Sequence, residues 1–124
     1  MTADQFRKLV LSFSETEERA HQGHPDFRVG GRIFATLGHP DQTRGMVQLT
    51  PEQQAEFIND HPLVFSPAEG AWGRNGSTIV DLPKATKAAM QIAVEAAYKN
   101  AVAKSSKRAL RKSAKKRIRV PDAK

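Results

Sequence analysis

Apolar residues recur along this chain at two spacings, and the change between them separates predicted helices from predicted strands. Between Phe6 and Phe13 they follow the i, i+3, i+4, i+7 spacing of one helical face. Thr2 precedes this run and Gln5 follows three positions later, the combination typical of a capping box at a helix start. The pattern therefore predicts a first helix whose apolar face contacts the core.

Short apolar runs between turn residues predict a three-stranded antiparallel meander from about Glu18 to Leu49. Gly30-Gly31 stands between two of these runs, and adjacent glycines tolerate the positive φ angles of a two-residue hairpin turn. Two further strands are predicted at 64–65 and 78–82, the second after an Asn-Gly turn.

Two more helices carry their own start signals. Thr50 and Gln53 form a second capping box, with Pro51 at the first helical position, and this helix should end near Asp60. Pro83 is predicted to open a long helix with a narrow inward stripe made of Ala85, Ala88, Ala89, Ile92 and Ala96. The order α-β-β-β-α-β-β-α favours an α+β fold, a two-layer sandwich with an antiparallel sheet of about five strands.

Charge is divided unevenly along the chain. Residues 1–98 hold 9 Lys/Arg against 12 Asp/Glu, whereas residues 99–124 hold 11 against 1, and together they give the net charge of +7. We therefore expect one domain over residues 1–103 and a Lys/Arg-rich C-terminal tail over residues 104–124. Such asymmetry is typical of proteins with a polyanionic partner.

The cations of the tail are spaced as one face of a helix. They follow one another at steps of 3 and 1, as Lys104, Lys107, Arg108, Arg111, Lys112, Lys115, Lys116 and Arg119. A helix over these positions would carry a cationic stripe about 22 Å long. Like charges at i, i+4 cost about 0.2–0.5 kcal/mol per pair, so we expect this helix to fray when free and to be stabilised by phosphates.

The composition of the tail favours duplex DNA as the polyanion. No aromatic residue follows Tyr98, whereas single-strand binding favours aromatic stacking among the cations. Leu110 and Ile118 are a poor apolar face for a membrane helix. Phosphate contact along a duplex implies little base specificity. Arg28 and Arg32 flank the predicted hairpin turn, and this wing is a second candidate DNA contact.

Other classes of chemistry find little support in the residues. Cysteine is absent, and the four histidines lack the spacing of a zinc site, so we expect no metal and no cofactor. No nucleophile–base set or phosphate-binding glycine loop appears, so we expect no enzymatic activity. No apolar run is long enough to span a membrane and no signal peptide is recognisable, which favours a cytoplasmic protein.

Three separated blocks resemble the YjbR/MmcQ family. Residues 23–35 (GHPDFRVGGRIFA) resemble its "GHPxFRVxGKxFA" segment, residues 49–53 its "LxPEx" helix start, and residues 70–82 its "GWG…GWTxVxL" element, with Ala71 intervening. The resemblance covers about residues 1–104. It implies a two-layer α+β fold, DNA binding and no established active site. The family's "APK" ending lacks its proline here, and the tail lies beyond the resemblance.

We therefore expect a cytoplasmic DNA-binding protein that is a monomer or a weak homodimer. An association with the nucleoid would fit this expectation. Two alternatives stay open. The order of layers is also similar to that of small secretion-chaperone-like domains, which would make the protein a protein-interaction module with an exposed apolar patch. An RNA- or ribosome-associated factor would use the same cations, and competition between duplex DNA and structured RNA would distinguish it.

Overall fold

A computed structural model describes residues 1–21, 23–38 and 41–119, with the backbone alone described for His21 and for residues 106–119. The strands are β1 (Glu17–His21), β2 (His24–Val29), β3 (Arg32–Leu37), β4 (Arg44–Gln48), β5 (Phe65–Pro67) and β6 (Ser77–Asp81). The helices are α1 (Ala3–Leu11), α2 (Pro51–Asp60), α3 (Gly70–Arg74) and α4 (Lys87–Arg119), with a 3-10 turn at Leu82–Lys84.

The six strands form one antiparallel sheet in the order β1-β2-β3-β4-β6-β5. The predicted α+β, two-layer class is confirmed. The predicted strand count of about five was too low, because the sequence of β1 is Glu-Glu-Arg-Ala-His and lacks alternating apolar residues. Helix α3 was also missed, because its two glycines are poor helix formers.

Helices α1, α2 and α4 pack on one face of this sheet. Cross-strand pairing places Leu37, Gly45, Val80 and Phe65 in one row on the same face. The Phe6 ring of α1 lies over Gly45, and Phe57 of α2 meets Phe65 with ring centroids 5.4 Å apart. Helix α4 crosses β2, β3 and β4 and contacts α1.

Local signals in the sequence are reproduced by the structure. Both capping boxes form, with the hydroxyls of Thr2 and Thr50 accepting from the backbone of Gln5 and Gln53. The hairpin turn has φ angles of 59° and 80° at Gly30 and Gly31. Helix α2 ends at Asp60, as predicted.

The predicted inward stripe of the last helix is confirmed only in part: Ala85 and Ala89 are buried and Ala96 is half-buried. Ile92 is 59% exposed and Ala88 is exposed. The buried side of α4 is instead formed by Ala89, Met90, Ala93, Val94, Ala97 and Ala101. Pro83 belongs to the 3-10 turn and Ala85 is extended with a ψ of 138°, so the helix begins at Lys87. The predicted stripe was counted from Ala85, a position outside the helix, whereas Met90, Ala93, Val94 and Ala97 follow the i, i+3, i+4, i+7 spacing within it.

An irregularity in the hairpin brings an aromatic side chain into the core. Phe27 pairs with Ala35 and Arg28 with Ile33, so Phe34 is an extra residue on β3, as in a β-bulge. Phe34 and Ala35 are both fully buried. The Phe34 ring meets Tyr98 of α4 edge-on at 5.5 Å, and the Tyr98 hydroxyl donates to the Ser14 carbonyl at 2.7 Å.

A glycine substitution pair tests the close packing between β4 and the α3–β6 turn. Gly76 has φ +108°, and a Cβ there would overlap the Leu49 carbonyl, whereas Gly31 has φ +80° with open space around it. We expect Gly76→Ala to lower the free energy of unfolding by about 2–5 kcal/mol, from strain plus overpacking. Gly31→Ala should cost only about 1–2 kcal/mol. Urea unfolding measures both, and equal losses would contradict the packing described.

Candidate nucleic-acid interface

Helix α4 belongs both to the core and to the predicted tail. Ala101 is its last buried residue among the side chains that the structure describes, which end at Ser105, and the helix backbone continues to Arg119. The predicted boundary between residues 103 and 104 therefore falls inside one continuous helix, with no linker. All eight positions of the predicted cationic stripe lie within the helix. The Lys104 side chain is exposed, whereas the side chains of Lys107, Arg108, Arg111, Lys112, Lys115, Lys116 and Arg119 lie outside the described residues.

The hairpin turn touches α4 where the tail begins. The Ser105 hydroxyl donates to the Gly30 carbonyl at 3.3 Å. A Cβ at Gly30 would overlap the Ser105 side chain, so only glycine fits this contact without a shift. The predicted hairpin wing is therefore held against α4, next to Lys104.

The two arginines beside this turn have different surroundings. The Arg28 guanidinium donates twice to Asp26, at 2.8 and 3.2 Å. The Asp26 side chain is 1% exposed and that of Arg28 is 23% exposed. The hydrogen bond to Asp26 raises the pKa of Arg28. Arg32 makes no ion pair within the described part of the chain, and it lines a cleft together with Lys104. Of the two predicted wing contacts, Arg32 thus has an uncompensated charge and Arg28 does not.

Most cations of the folded body have an acidic partner. Five ion pairs join the described residues besides the Asp26–Arg28 pair: Arg7–Glu18, Lys8–Asp4, Arg19–Glu17, Arg44–Asp41 and Lys99–Glu95. The described cations without such a pair are Arg32, Arg74, Lys84, Lys87 and Lys104. Two of these five, Arg32 and Lys104, lie together at the start of the tail.

The remaining candidates for chemistry are separated in the structure. Among the described residues, no three His, Asp or Glu side chains come close enough to share a metal ion. Trp72 is 68% exposed on α3. No helix within the described ranges is both long and apolar enough to cross a membrane.

Sequence reasoning missed the partner of Arg28 and the cleft beside Arg32. Asp26 and Arg28 are two apart on β2, so alternation along a strand places both on one face and was the available signal. The cleft combines side chains from β3, β4, the start of α2 and α4. No local pattern could have revealed it.

The fold defines a small α+β protein with a single antiparallel sheet covered by helices. The sequence model of the YjbR family matches residues 11–100, and the chain belongs to the YjbR family. A crystal structure of Deinococcus radiodurans protein DR2400, described as a DUF419 domain, is similar with a TM-score of 0.64. The two sequences are 19% identical, and the match covers 78% of this chain and 75% of that one. No curated protein sequence matches the chain.

The Asp41–Arg44 pair gives a prediction on pH. Thr43 donates to Asp41 from its hydroxyl at 2.7 Å and from its backbone at 2.9 Å, and these bonds, with Arg44, lower the pKa of Asp41. A lowered pKa stabilises the fold above the unfolded-state value of about 3.9, and this contribution is lost as pH falls through the folded-state value. Thr43→Val should therefore raise the pKa of Asp41 and destabilise the protein more at pH 7 than at acid pH.

Carboxyl NMR titration of Asp41 and urea unfolding at both pH values measure this effect. Thr43→Ser is the matched control, because it retains the hydroxyl and should retain the low pKa. An Asp41 that titrates identically in the wild type and in Thr43→Val would contradict the role of the hydroxyl.

Proposed function

We propose that this protein is a non-enzymatic, cytoplasmic DNA-binding protein that binds the phosphate backbone of duplex DNA with little sequence specificity. The observation that carries the proposal is the separation of charge: residues 1–98 have a balance of −3 (9 minus 12), and residues 99–124 a balance of +10 (11 minus 1). A polyanion would thus be attracted to the C-terminal segment and not to the folded body.

The ion pairs of the body support this division. The cations of α1 and β1, together with Arg28 and Arg44, face carboxylates of the same body. A cation that already has a carboxylate partner gains less from a phosphate, because the phosphate must compete with that partner. Of the five described cations without a carboxylate partner, Arg32 and Lys104 lie beside the start of the tail, so we expect them to bind DNA together with the stripe from Lys107 to Arg119.

The continuity of α4 supports an extended contact. The helix runs 18 residues past Ala101, a distance of about 27 Å at about 1.5 Å per residue. Phosphates on one strand of a duplex are spaced several ångströms apart, so a stripe of this length can meet several of them. Cations that gain phosphate partners also lose the mutual repulsion that disfavours the helix.

The binding energy in this proposal comes from the release of counterions. If about 5–7 cations each meet a phosphate, log affinity should fall with log salt with a slope of about −5 to −6. Specific base contacts would add a component that does not depend on salt in this way. The tail contains no Asn or Gln to read base edges, which supports low specificity.

Charge removal in the full chain tests the proposal. We expect Lys112→Gln, Lys115→Gln, Lys116→Gln and Arg119→Gln, combined, to reduce the magnitude of the salt slope by about 3–4. Fluorescence anisotropy with a duplex oligonucleotide at several salt concentrations gives the slope. A chain ending at Ala103, which keeps the buried residues of α4 from Ala89 to Ala101, should lose most of its affinity.

The matched control removes four charges from the body, through Lys8→Gln, Arg19→Gln, Lys84→Gln and Lys87→Gln. The net charge is then the same in both variants, and only in the tail variant should the slope of log affinity against log salt become smaller in magnitude. Equal slopes in the two variants would show that binding follows total charge and would contradict a tail contact. Preference for structured RNA over duplex DNA in competition would contradict DNA as the partner.

A further inference from the structure

A cleft of about 430 Å³ lies beside the contact between the hairpin and α4. Its walls come from the start of β3, the end of β4, the start of α2, the turn after α3 and α4. Its volume falls within the range of about 300–1,000 Å³ typical of small-molecule sites. The cleft is therefore larger than a phosphate group alone requires.

The charge of the cleft is entirely positive among the residues that line it. Arg32 and Lys104 contribute two cations, and no carboxylate belongs to the lining. Glu52 follows Pro51 in the chain but does not line the cleft. Neither cation has an ion-pair partner among the described residues. The bond between Ser105 and Gly30 holds the two elements that carry these cations together.

The start of α2 adds little to this charge. The side chains of Thr50 and Gln53 already accept from each other's backbone N–H groups, and Pro51 has no N–H. The attraction of the cleft for an anion therefore rests on Arg32 and Lys104.

The remaining lining offers an apolar surface and three side-chain amides, those of Gln48, Asn75 and Asn100. Ile33 and Leu49 belong to the wall, and Ile33 is 37% exposed. The Asn100 Nδ2 donates to Gln53 Oε1 at 2.7 Å and to the Gln48 carbonyl at 3.4 Å. Because these bonds use the amide nitrogen, the Asn100 Oδ1 is left as an acceptor, with no partner in the described part of the chain.

We propose that this cleft binds a nucleotide unit, with the phosphate at Arg32 and Lys104. The apolar wall contacts the sugar or the base, and Asn100 Oδ1 accepts a hydrogen bond from a hydroxyl or amino group. Arg32 and Lys104 also belong to the proposed DNA contact, so the inference rests on the proposed function at this point and deepens it by naming a nucleotide-sized site beside the stripe from Lys107 to Arg119. A free mononucleotide and a nucleotide within a nucleic-acid strand both carry this phosphate, sugar and base.

NMR titration of the full chain tests the inference. We expect AMP to shift the side-chain resonances of Arg32 and Asn100 in a saturable manner, and adenosine, which lacks the phosphate, to bind at least about tenfold more weakly. A tetranucleotide of deoxyadenosine distinguishes the two sources. Tighter binding of AMP would identify a free nucleotide as the ligand, and tighter binding of the tetranucleotide a strand.

Two variants and one control locate the site. Arg32→Gln should weaken AMP binding by about tenfold or more. Lys104→Glu should weaken it further, and its exposed position makes a folding defect unexpected. Lys84→Gln removes an exposed lysine that precedes α4, far along the helix from the cleft, and should bind AMP as the wild type does.

The four-glutamine tail variant separates this inference from the proposed function. It should bind AMP normally even though it loses DNA affinity. The nucleotide site would be overturned if AMP caused no saturable change in the resonances of Arg32 and Asn100. It would also be overturned if both cleft variants bound AMP as the wild type does, whether or not the tail binds DNA. Inorganic phosphate that binds as tightly as AMP would overturn the contribution of the apolar wall and of Asn100.

Discussion

The close packing of α4 on the sheet is the constraint on which the rest of the structure depends. Ala93 and Ala97 are fully buried and Ala101 is 5% exposed, so the helix meets the strands through small side chains. Small residues let the helix backbone approach the strands, while Met90 and Val94 fill the space beside them. Because α4 is continuous, this packing also fixes where the helix leaves the sheet. Lys104 and Ser105 follow directly, beside the hairpin turn.

Features determined by short stretches of sequence were predictable. The capping boxes at Thr2 and Thr50 and the turn at Gly30-Gly31 depend on a few neighbouring residues, and the structure shows all three. The start of α4 was harder to predict, because Pro83 is as well suited to a 3-10 turn as to the first turn of an α-helix. Once the helix is counted from Lys87, its buried side is visible in the sequence as the spacing of Met90, Ala93, Val94 and Ala97.

The candidate site also combines features that the sequence predicts with features that only the fold shows. The separation of charge could be read by counting residues, since it is a property of the sequence. Which individual cations are free could not, because Arg28 and Arg32 look equivalent beside the turn. Only the fold shows that Asp26 is buried against Arg28, and that Arg32 instead lies with Lys104 in a cleft. Counting the charged residues thus gives the net charge of a segment, whereas the fold determines which of these charges have partners.

The two edges of the sheet limit how copies of this protein can associate. Strand β1 ends the sheet on one side with Glu17, Glu18 and Arg19, and β5 ends it on the other with three residues that include Pro67. Charged side chains, short length and proline all oppose the addition of a further strand. Neither edge is therefore a good template for fibril growth or for a continuous intermolecular sheet. Copies at high concentration would therefore meet through their helices and loops without promoting β-aggregation.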